Sequence, residues 1–126
     1  MQTSSDRDHV RVDVKVTGSP LRLAPTVEMN LLRIGQEAVT NAIKHGHAKN
    51  VTALLQYERE KVRLSITDDG RGFRPQDSPP SGHFGLLDMR ERAHSMGCTL
   101  AVESAPDCGT KVAIEIPLKT EEEALR

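Results

Sequence analysis

The sequence is poor in the residues on which several functional classes depend. It has no tryptophan and only three aromatic side chains, Tyr57, Phe73 and Phe84, which are too few for stacking along single-stranded nucleic acid. Two cysteines, Cys98 and Cys108, fit neither a disulfide scaffold nor a metal-binding spacing, so a reducing cytosol is expected. No apolar run exceeds three residues, so no membrane contact is expected.

An excess of charge of one sign is also lacking. The chain has 17 basic and 18 acidic residues and a net charge of −1, which argues against a nucleic-acid partner held by bulk charge. Its 126 residues, 37% of them hydrophobic, suit one compact domain. We assign residues 9–118 to that domain, 1–8 to a disordered or vector-derived start, and 119–126 to a charged tail.

Hydrophobic periodicity divides the chain into short strands and two helices. Strict alternation over residues 9–16 predicts a strand, and residues 21–23 predict a short extended piece. From Thr26 to His45 apolar residues recur at helical spacing, which predicts the longest element. Residues 74–83 hold three Pro, two Ser and one Gly, which predicts a mobile loop. A second helix is predicted over 86–96, and further strands over 51–57, 62–67, 99–104 and 110–117.

The order of these elements predicts the fold class. Helices are few and hairpins are many, which favours one mixed, largely antiparallel sheet with helices on a single face. The expected architecture is therefore an α/β two-layer sandwich. The opposite face of the sheet should be more polar, or be covered by a partner.

The first group of polar residues lies on the long helix. Glu37, Asn41 and His45 are spaced i, i+4, i+8 and so share a face, and Lys44 borders it. The amide oxygen of Asn41 is a hard ligand suited to Mg²⁺, and Lys44 can meet phosphate as a point charge. A solvated polar face explains the same pattern equally well.

The second group follows a predicted strand, at Asp68, Gly70 and Gly72. A carboxylate at a strand end can accept a hydrogen bond from an exocyclic amine, and glycines beside it let a flat ring approach the backbone. An ordinary Asp-Gly turn is the alternative interpretation.

The third group opens the second helix, at Gly82, Gly85 and Leu86. Free N–H groups and the helix dipole at such a start attract phosphate. The signal is weak by itself, because the spacing is neither that of a P-loop nor that of a dinucleotide fingerprint.

In this order, the three groups resemble the ATP-binding domain of bacterial sensor histidine kinases. That domain has the Bergerat fold of the GHKL superfamily, shared with DNA gyrase, heat-shock chaperone ATPases and mismatch-repair ATPases. Residues 37–45 resemble its N box, 68–72 its G1 box and 82–86 its G2 box, and Gly109-Thr110 resembles the pair that opens its last strand. Residues 85–93 are similar to the nitrate-sensor-like branch. The resemblance covers roughly residues 20 to 118.

The resemblance implies how the base would be held. Asp68 would accept the adenine amino group and select adenine over guanine. Gly70 and Gly72 would give the ring room, and Thr110 would support the base from the sheet.

The resemblance also implies a phosphate end of the site. Asn41 would hold Mg²⁺ against the phosphates, which Lys44 and His45 would approach. Gly82, Gly85 and Leu86 would close over them. Glu37 stands where hydrolysing members of the superfamily have their catalytic base, and in a kinase it would polarise or position.

The activity implied is transfer of the γ-phosphate of Mg-ATP to a histidine on a separate dimerisation domain, with a response regulator downstream. None of the five histidines lies in a recognisable dimerisation helix, so we expect an isolated catalytic domain without its phosphoacceptor. The expected location is the cytoplasm, in a soluble or membrane-bound sensor kinase. The usual F box is not evident, and Asp88 stands where the branch often has glycine. The roles of Asp88 and Arg71 stay open.

Two other functions fit the same motifs. A stand-alone anti-sigma-factor-like serine kinase would use a protein serine as acceptor, although the run Met89 to Arg92 argues against it. A non-catalytic ATP-sensing module would bind ATP and never support transfer.

Overall fold

The structure is a computed structural model, and it describes residues 9–74 and 85–118. Five strands and two helices follow one another in this part of the chain. The strands are β1 (Arg11–Thr17), β2 (Asn50–Tyr57), β3 (Lys61–Asp68), β4 (Ala101–Ser104) and β5 (Thr110–Pro117). The helices are α1 (Pro25–Thr40), continued by a π-helical turn (Asn41–His45), and α2 (Leu86–Ser95). Along the chain the order is β1, α1, β2, β3, α2, β4 and β5.

Helix α1 begins at a proline, a residue that is well tolerated in the first turn, and its apolar face packs on the core. Pro25 occupies the first turn, where its missing N–H is not needed. The predicted stripe is buried: Leu31, Ile34 and Ala38 face the sheet, and Ala42 extends the stripe into the π turn. The packing of α1 on the core therefore fixes the position of the polar residues at the C-terminal end of this helix.

The sheet has the strand order β1-β2-β3-β5-β4. The β1–β2 pair is parallel, and the other three pairs are antiparallel. The predicted mixed, mostly antiparallel sheet and the α/β two-layer sandwich are confirmed. Among the described residues, no helix is both long and apolar enough to cross a membrane.

The core lies between the helices and the middle strands. Ile34 of α1 and Met89 of α2 are fully buried against Ile66 of β3 and Ile114 of β5. The opposite face of the sheet is more polar, as expected, and carries the pair of Arg63 with Glu115 at 2.7 Å. That arginine holds the pKa of Glu115 below its usual range.

The edge strand β1 departs from this pattern. Its three valines, Val12, Val14 and Val16, share the helix-facing side with Val51, yet Val14 is 71% exposed. An open apolar groove of about 600 Å³ runs between them and α1. The helix layer thus leaves one edge of the sheet uncovered.

Two element predictions were wrong in detail. Residues 21–23 form no strand, and the fourth strand begins at Ala101 instead of Thr99. The π turn was also missed, because its i→i+5 bond from the Gly46 N–H to the Asn41 carbonyl has no sequence signature. The predicted mobile loop 74–83 falls, beyond Arg74, outside the described residues.

Candidate functional site

Strand register lines up a polar row at one end of the sheet. Asp68 lies opposite Thr110, and Thr110 lies opposite Ser104 on its other side. Directly opposed residues point to the same face of a sheet, and here that is the helix-covered face. Three polar side chains from β3, β5 and β4 therefore stand side by side where the apolar core ends.

The Asp68 carboxylate is half-buried in this row. One of its oxygens accepts a hydrogen bond of 2.7 Å from the backbone N–H of Gly70. Burial raises the pKa of Asp68 above its ordinary value, and the neighbouring charge of Asp69 adds to the rise. Backbone hydrogen bonds from Gly70 and Thr110 oppose it. The result is a carboxylate with unused acceptor capacity, held in place by the turn that follows it.

The turn after Asp68 is packed tightly on its neighbours. The N–H of Arg71 donates to the carbonyl of Gly46 at 2.8 Å, which ties the turn to the end of the π helix. At Gly72, φ is +69°, and a Cβ would run into the carbonyls of Ala105 and Gly109. Glycine is thus required at position 72 for backbone packing as well as for any ligand.

A second carboxylate secures this turn from outside. Asp69 accepts hydrogen bonds of 2.9 Å from the N–H groups of Lys49 and Asn50 and one of 2.8 Å from the Asn50 side chain. These bonds lower the pKa of Asp69 to about 2, the Asn50 side-chain bond first among them. Asp69 therefore clamps the strand-end turn to the start of β2, a role that its position beside Asp68 in the sequence did not reveal.

The π turn brings two of the four polar residues predicted on the long helix to the cleft. Asn41 and His45 line the same cleft as Asp68. Lys44 is exposed and does not line it. Glu37, although predicted on the same face, does not line it either.

Instead, the Glu37 carboxylate lies against the start of α2. Gly85 caps that helix in the left-handed region, with φ +77° and no side-chain capping bond. A Cβ on Gly85 would come within 2.8 Å of the Glu37 Oε1 atom. The Glu37 carboxylate thus lies beside the residue that caps α2, near the helix end where phosphate was expected. Gly82, also predicted for this end, lies outside the described residues.

The cleft between these segments is narrow. Its volume is about 30 Å³, far below the roughly 150 Å³ of a protein cavity that holds benzene, so an adenine ring enters only if lining groups move apart. Twelve residues line it: Ala38, Asn41, Ala42, His45, Gly46, Ile66, Asp68, Gly72, Phe73, Leu86, Thr110 and Val112.

The cleft joins an apolar wall to a few polar groups. Ala38, Ile66 and Val112 supply a flat apolar surface, and Asp68, Thr110 and Asn41 stand around it. That combination suits a planar heterocycle with a polar edge. In residues 9–74 and 85–118 no three His, Cys, Asp or Glu side chains cluster as they would around a metal ion. A Mg²⁺ ion placed on the Asn41 amide oxygen would need phosphates and water as its other ligands.

Comparison with known proteins identifies the family. Residues 26–120 match the family described as histidine kinase-, DNA gyrase B- and HSP90-like ATPase. The chain belongs to this ATPase family. The resemblance to this ATPase superfamily is therefore confirmed, and its curated relatives include a histidine kinase.

Individual relatives of this ATPase domain are sensor kinases. The histidine-protein kinase/phosphatase DegS of Brevibacillus brevis is 34% identical over 122 residues, covering 97% of this chain and 31% of that protein. The sensor protein VraS of Staphylococcus saprophyticus is 38% identical over 96 residues, covering 76% of this chain and 27% of that protein. The chain thus spans less than a third of these curated relatives.

Solved structures share its fold. The histidine kinase domain of the Erythrobacter litoralis EL346 blue-light-activated kinase superposes with a TM-score of 0.65 at 26% identity, covering 85% of this chain and 52% of that one. The assignment to the nitrate-sensor-like branch stays a prediction, as do the individual site roles.

Proposed function

We propose that this domain binds Mg-ATP and supplies its γ-phosphate to a histidine on a separate dimerisation domain. One observation carries the proposal: Asn41, Asp68 and Thr110, far apart in the sequence, meet around one cleft of an ATPase-family domain. The names of the relatives DegS and VraS, a histidine kinase and a sensor protein, support the same assignment.

In this proposal the base binds at the polar row. Asp68 accepts a hydrogen bond from the exocyclic amine of adenine, and the apolar wall of Ile66 and Val112 covers a ring face. Because the described cleft is so narrow, the Phe73 side chain, which lines it at the end of the turn after Asp68, must shift to admit the ring.

The phosphates would extend from the base toward the end of α1 and the start of α2. His45 and Asn41 line the cleft on this side, and the Asn41 amide oxygen is the group we assign to Mg²⁺. Lys44 and the backbone at Gly85 and Leu86 would meet the phosphates only after local movement. The Glu37 carboxylate would have to leave the start of α2, and we assign it a positioning role.

Transfer requires an acceptor placed in line with the γ-phosphate. An imidazole nitrogen of the acceptor histidine attacks phosphorus, the bond to the β–γ bridging oxygen breaks, and ADP leaves. Positioning and charge stabilisation dominate such reactions, so the domain alone should hydrolyse ATP very slowly. We expect a cytoplasmic site of action and a response regulator as the next acceptor.

The test is transfer in trans. The domain is mixed with the separately expressed phosphoacceptor domain of the DegS relative and with γ-labelled ATP, and acid-labile label on the acceptor is followed. We expect label on the acceptor histidine and none on this chain. Stable label on a serine of a partner would instead support the serine-kinase alternative, and binding without transfer would support a sensing module.

A further inference from the structure

Ser104 is a polar residue of the base end that no motif of the sequence singles out. It is the last residue of β4 and pairs with Thr110 across the β4–β5 register. It does not line the cleft, but its hydroxyl contacts Thr110 and Phe73, which both do. Any effect it has on a ligand therefore passes through one of these two residues, and the variants below separate them.

Three groups converge on the Ser104 hydroxyl. The backbone N–H of Phe73 donates to its Oγ at 2.8 Å. The same Oγ lies 2.9 Å from the carbonyl oxygen of Gly109 and 2.8 Å from the hydroxyl of Thr110. The hydroxyl thus joins the turn after Asp68 to Gly109 and to Thr110, the first residue of β5.

The number of protons decides the direction of these bonds. A serine hydroxyl has one proton to donate, and a carbonyl oxygen can only accept. The contact with Gly109 therefore uses the Ser104 proton. The Thr110 hydroxyl must then donate its own proton to Ser104, since two oxygens at 2.8 Å need one proton between them.

The consequence appears on the cleft side of Thr110. With its proton directed to Ser104, the Thr110 hydroxyl offers only lone pairs to the cleft. Directly opposite it stands the Asp68 carboxylate, which also only accepts when ionised. Two neighbouring acceptors suit an amino group with its two N–H donors, or a water that donates to them, and they disfavour a carbonyl oxygen at the same place.

We propose that Ser104 is a positioning residue that fixes the Thr110 hydroxyl as an acceptor and thereby sharpens the preference for a 6-aminopurine over a 6-oxopurine. The inference rests on the proposed function, because it takes the base of ATP to lie against Asp68 and Thr110. It adds to that function a residue of β4 outside every motif of the domain.

The test compares ATP with ITP, which carries oxygen where ATP carries the amino group. Both are titrated as competitors of a fluorescent ATP analogue bound to the whole domain. In Ser104→Ala the Thr110 proton is released and can point into the cleft toward an oxygen. We expect the preference for ATP over ITP to shrink about 3- to 10-fold, the size of one altered hydrogen bond. Ser104→Thr keeps the hydroxyl and should keep the preference.

Two controls separate this role from general packing. Ser65→Ala removes a buried serine hydroxyl from the middle of β3, on the opposite sheet face, and should leave the ratio unchanged. In a Thr110→Val background, adding Ser104→Ala should change nothing further, because the hydroxyl through which Ser104 acts is gone. If Ser104→Ala does not fold, Ser104→Cys, a poor donor, replaces it.

An unchanged ATP-to-ITP ratio in the folded Ser104 variants would overturn the inference, and so would an equal change in Ser65→Ala. These results are distinct from failure of the proposed function. If wild-type protein binds ATP and transfers no phosphate in trans, the transfer proposal falls, while the ratio still decides the role of Ser104.

Discussion

The two ends of the cleft are built in different ways. At the base end, Asp68, Thr110 and Ser104 stand in one register row, and backbone N–H groups of Gly70 and Phe73 tie the following turn to them. At the helix end, Gly85 precedes α2 without a side-chain cap, Asp88 lies in the first turn, and the Glu37 carboxylate lies beside Gly85. Hydrogen bonds of the sheet and turn hold the base end in place, whereas in the proposed site the Glu37 carboxylate would have to leave Gly85 before the helix end could receive an anion.

This difference suggests that one end of the cleft selects the ligand and that the other end changes shape when the ligand binds. A preorganised end loses little entropy on binding and can supply selectivity. An end that must move can respond to what is bound. The experiments below are designed to break or refine this comparison.

The largest effect is expected from Asp68→Asn. Losing the charged acceptor in a half-buried site should weaken ATP binding by about 1.5–3 kcal/mol, or about 10- to 150-fold. A fluorescent ATP analogue is the practical probe, because the chain has no tryptophan. Unchanged affinity would remove Asp68 from the base contact.

The same variant should be more stable than wild type at neutral pH. Burial raises the pKa of Asp68, so the ionised form is less favourable in the folded than in the unfolded chain. The ionised Asp68 therefore destabilises the fold, and this destabilisation develops as the pH rises from 3.8, the ordinary pKa, through the raised pKa of the folded protein. Below both pKa values the carboxyl is protonated in either state, and the destabilisation is absent. Urea unfolding of both proteins at pH 7 and at pH 3 checks this: the advantage of Asp68→Asn should vanish at the lower pH.

Next in size is Gly85→Ala, which probes the helix end. Alanine at φ +77° is strained, and its Cβ would press on the Glu37 carboxylate. We expect a loss of about 1–3 kcal/mol in unfolding free energy. Gly97→Ala is the matched control, since Gly97 has φ +73° and open space around its missing Cβ.

The difference between the two variants measures the contact with Glu37. Adding Glu37→Ala to Gly85→Ala should recover that difference and leave the backbone strain. Equal losses at Gly85 and Gly97, with no recovery, would mean that the carboxylate does not press on the start of α2.

A smaller effect is expected from Asn41→Ala. It should weaken nucleotide binding several-fold more in the presence of Mg²⁺ than in its absence, because the lost amide oxygen is a metal ligand in the proposed site. Binding is measured with and without chelator. Equal losses under both conditions would make Asn41 a structural residue.

The smallest effect concerns Asp69 and acid stability. Because three hydrogen bonds lower its pKa from 3.8 to about 2, Asp69 stabilises the fold above pH 3.8 and loses that contribution as pH falls toward 2. Asp69→Asn, which keeps the shape of the side chain, should flatten this part of the pH–stability curve. An identical acid transition in both proteins would show that the clamp carries no net stability.

Much of the fold and the base end could be predicted from sequence. Alternating apolar residues predicted the strands, and apolar residues at helical spacing predicted α1. Both patterns can be seen in sequence because each involves residues close together along the chain. Asp68 and Thr110 were predicted by resemblance, and the register places them opposite each other.

The rest depended on geometry that spacing does not encode. Ideal helical spacing put Glu37 with Asn41 and His45, but only the latter two line the cleft, and the chain enters a π turn at Asn41. The contact of Glu37 with Gly85 joins segments separated by a strand pair. The contacts of Ser104 with Thr110 and Phe73 depend on the β4–β5 register and on the position of the turn after Asp68.

The central claim is that the hydrogen-bonded backbone of the base end is already in place before binding, and that the helix end is not. Amide chemical-shift mapping tests it most directly, with adenosine and with Mg-ATP as separate ligands. We predict that adenosine shifts the amides of residues 68–73 and 104–110 only, and that Mg-ATP adds residues 41–46 and 85–89. Shifts at the start of α2 with adenosine alone, or none near Asp68 with either ligand, would contradict the account.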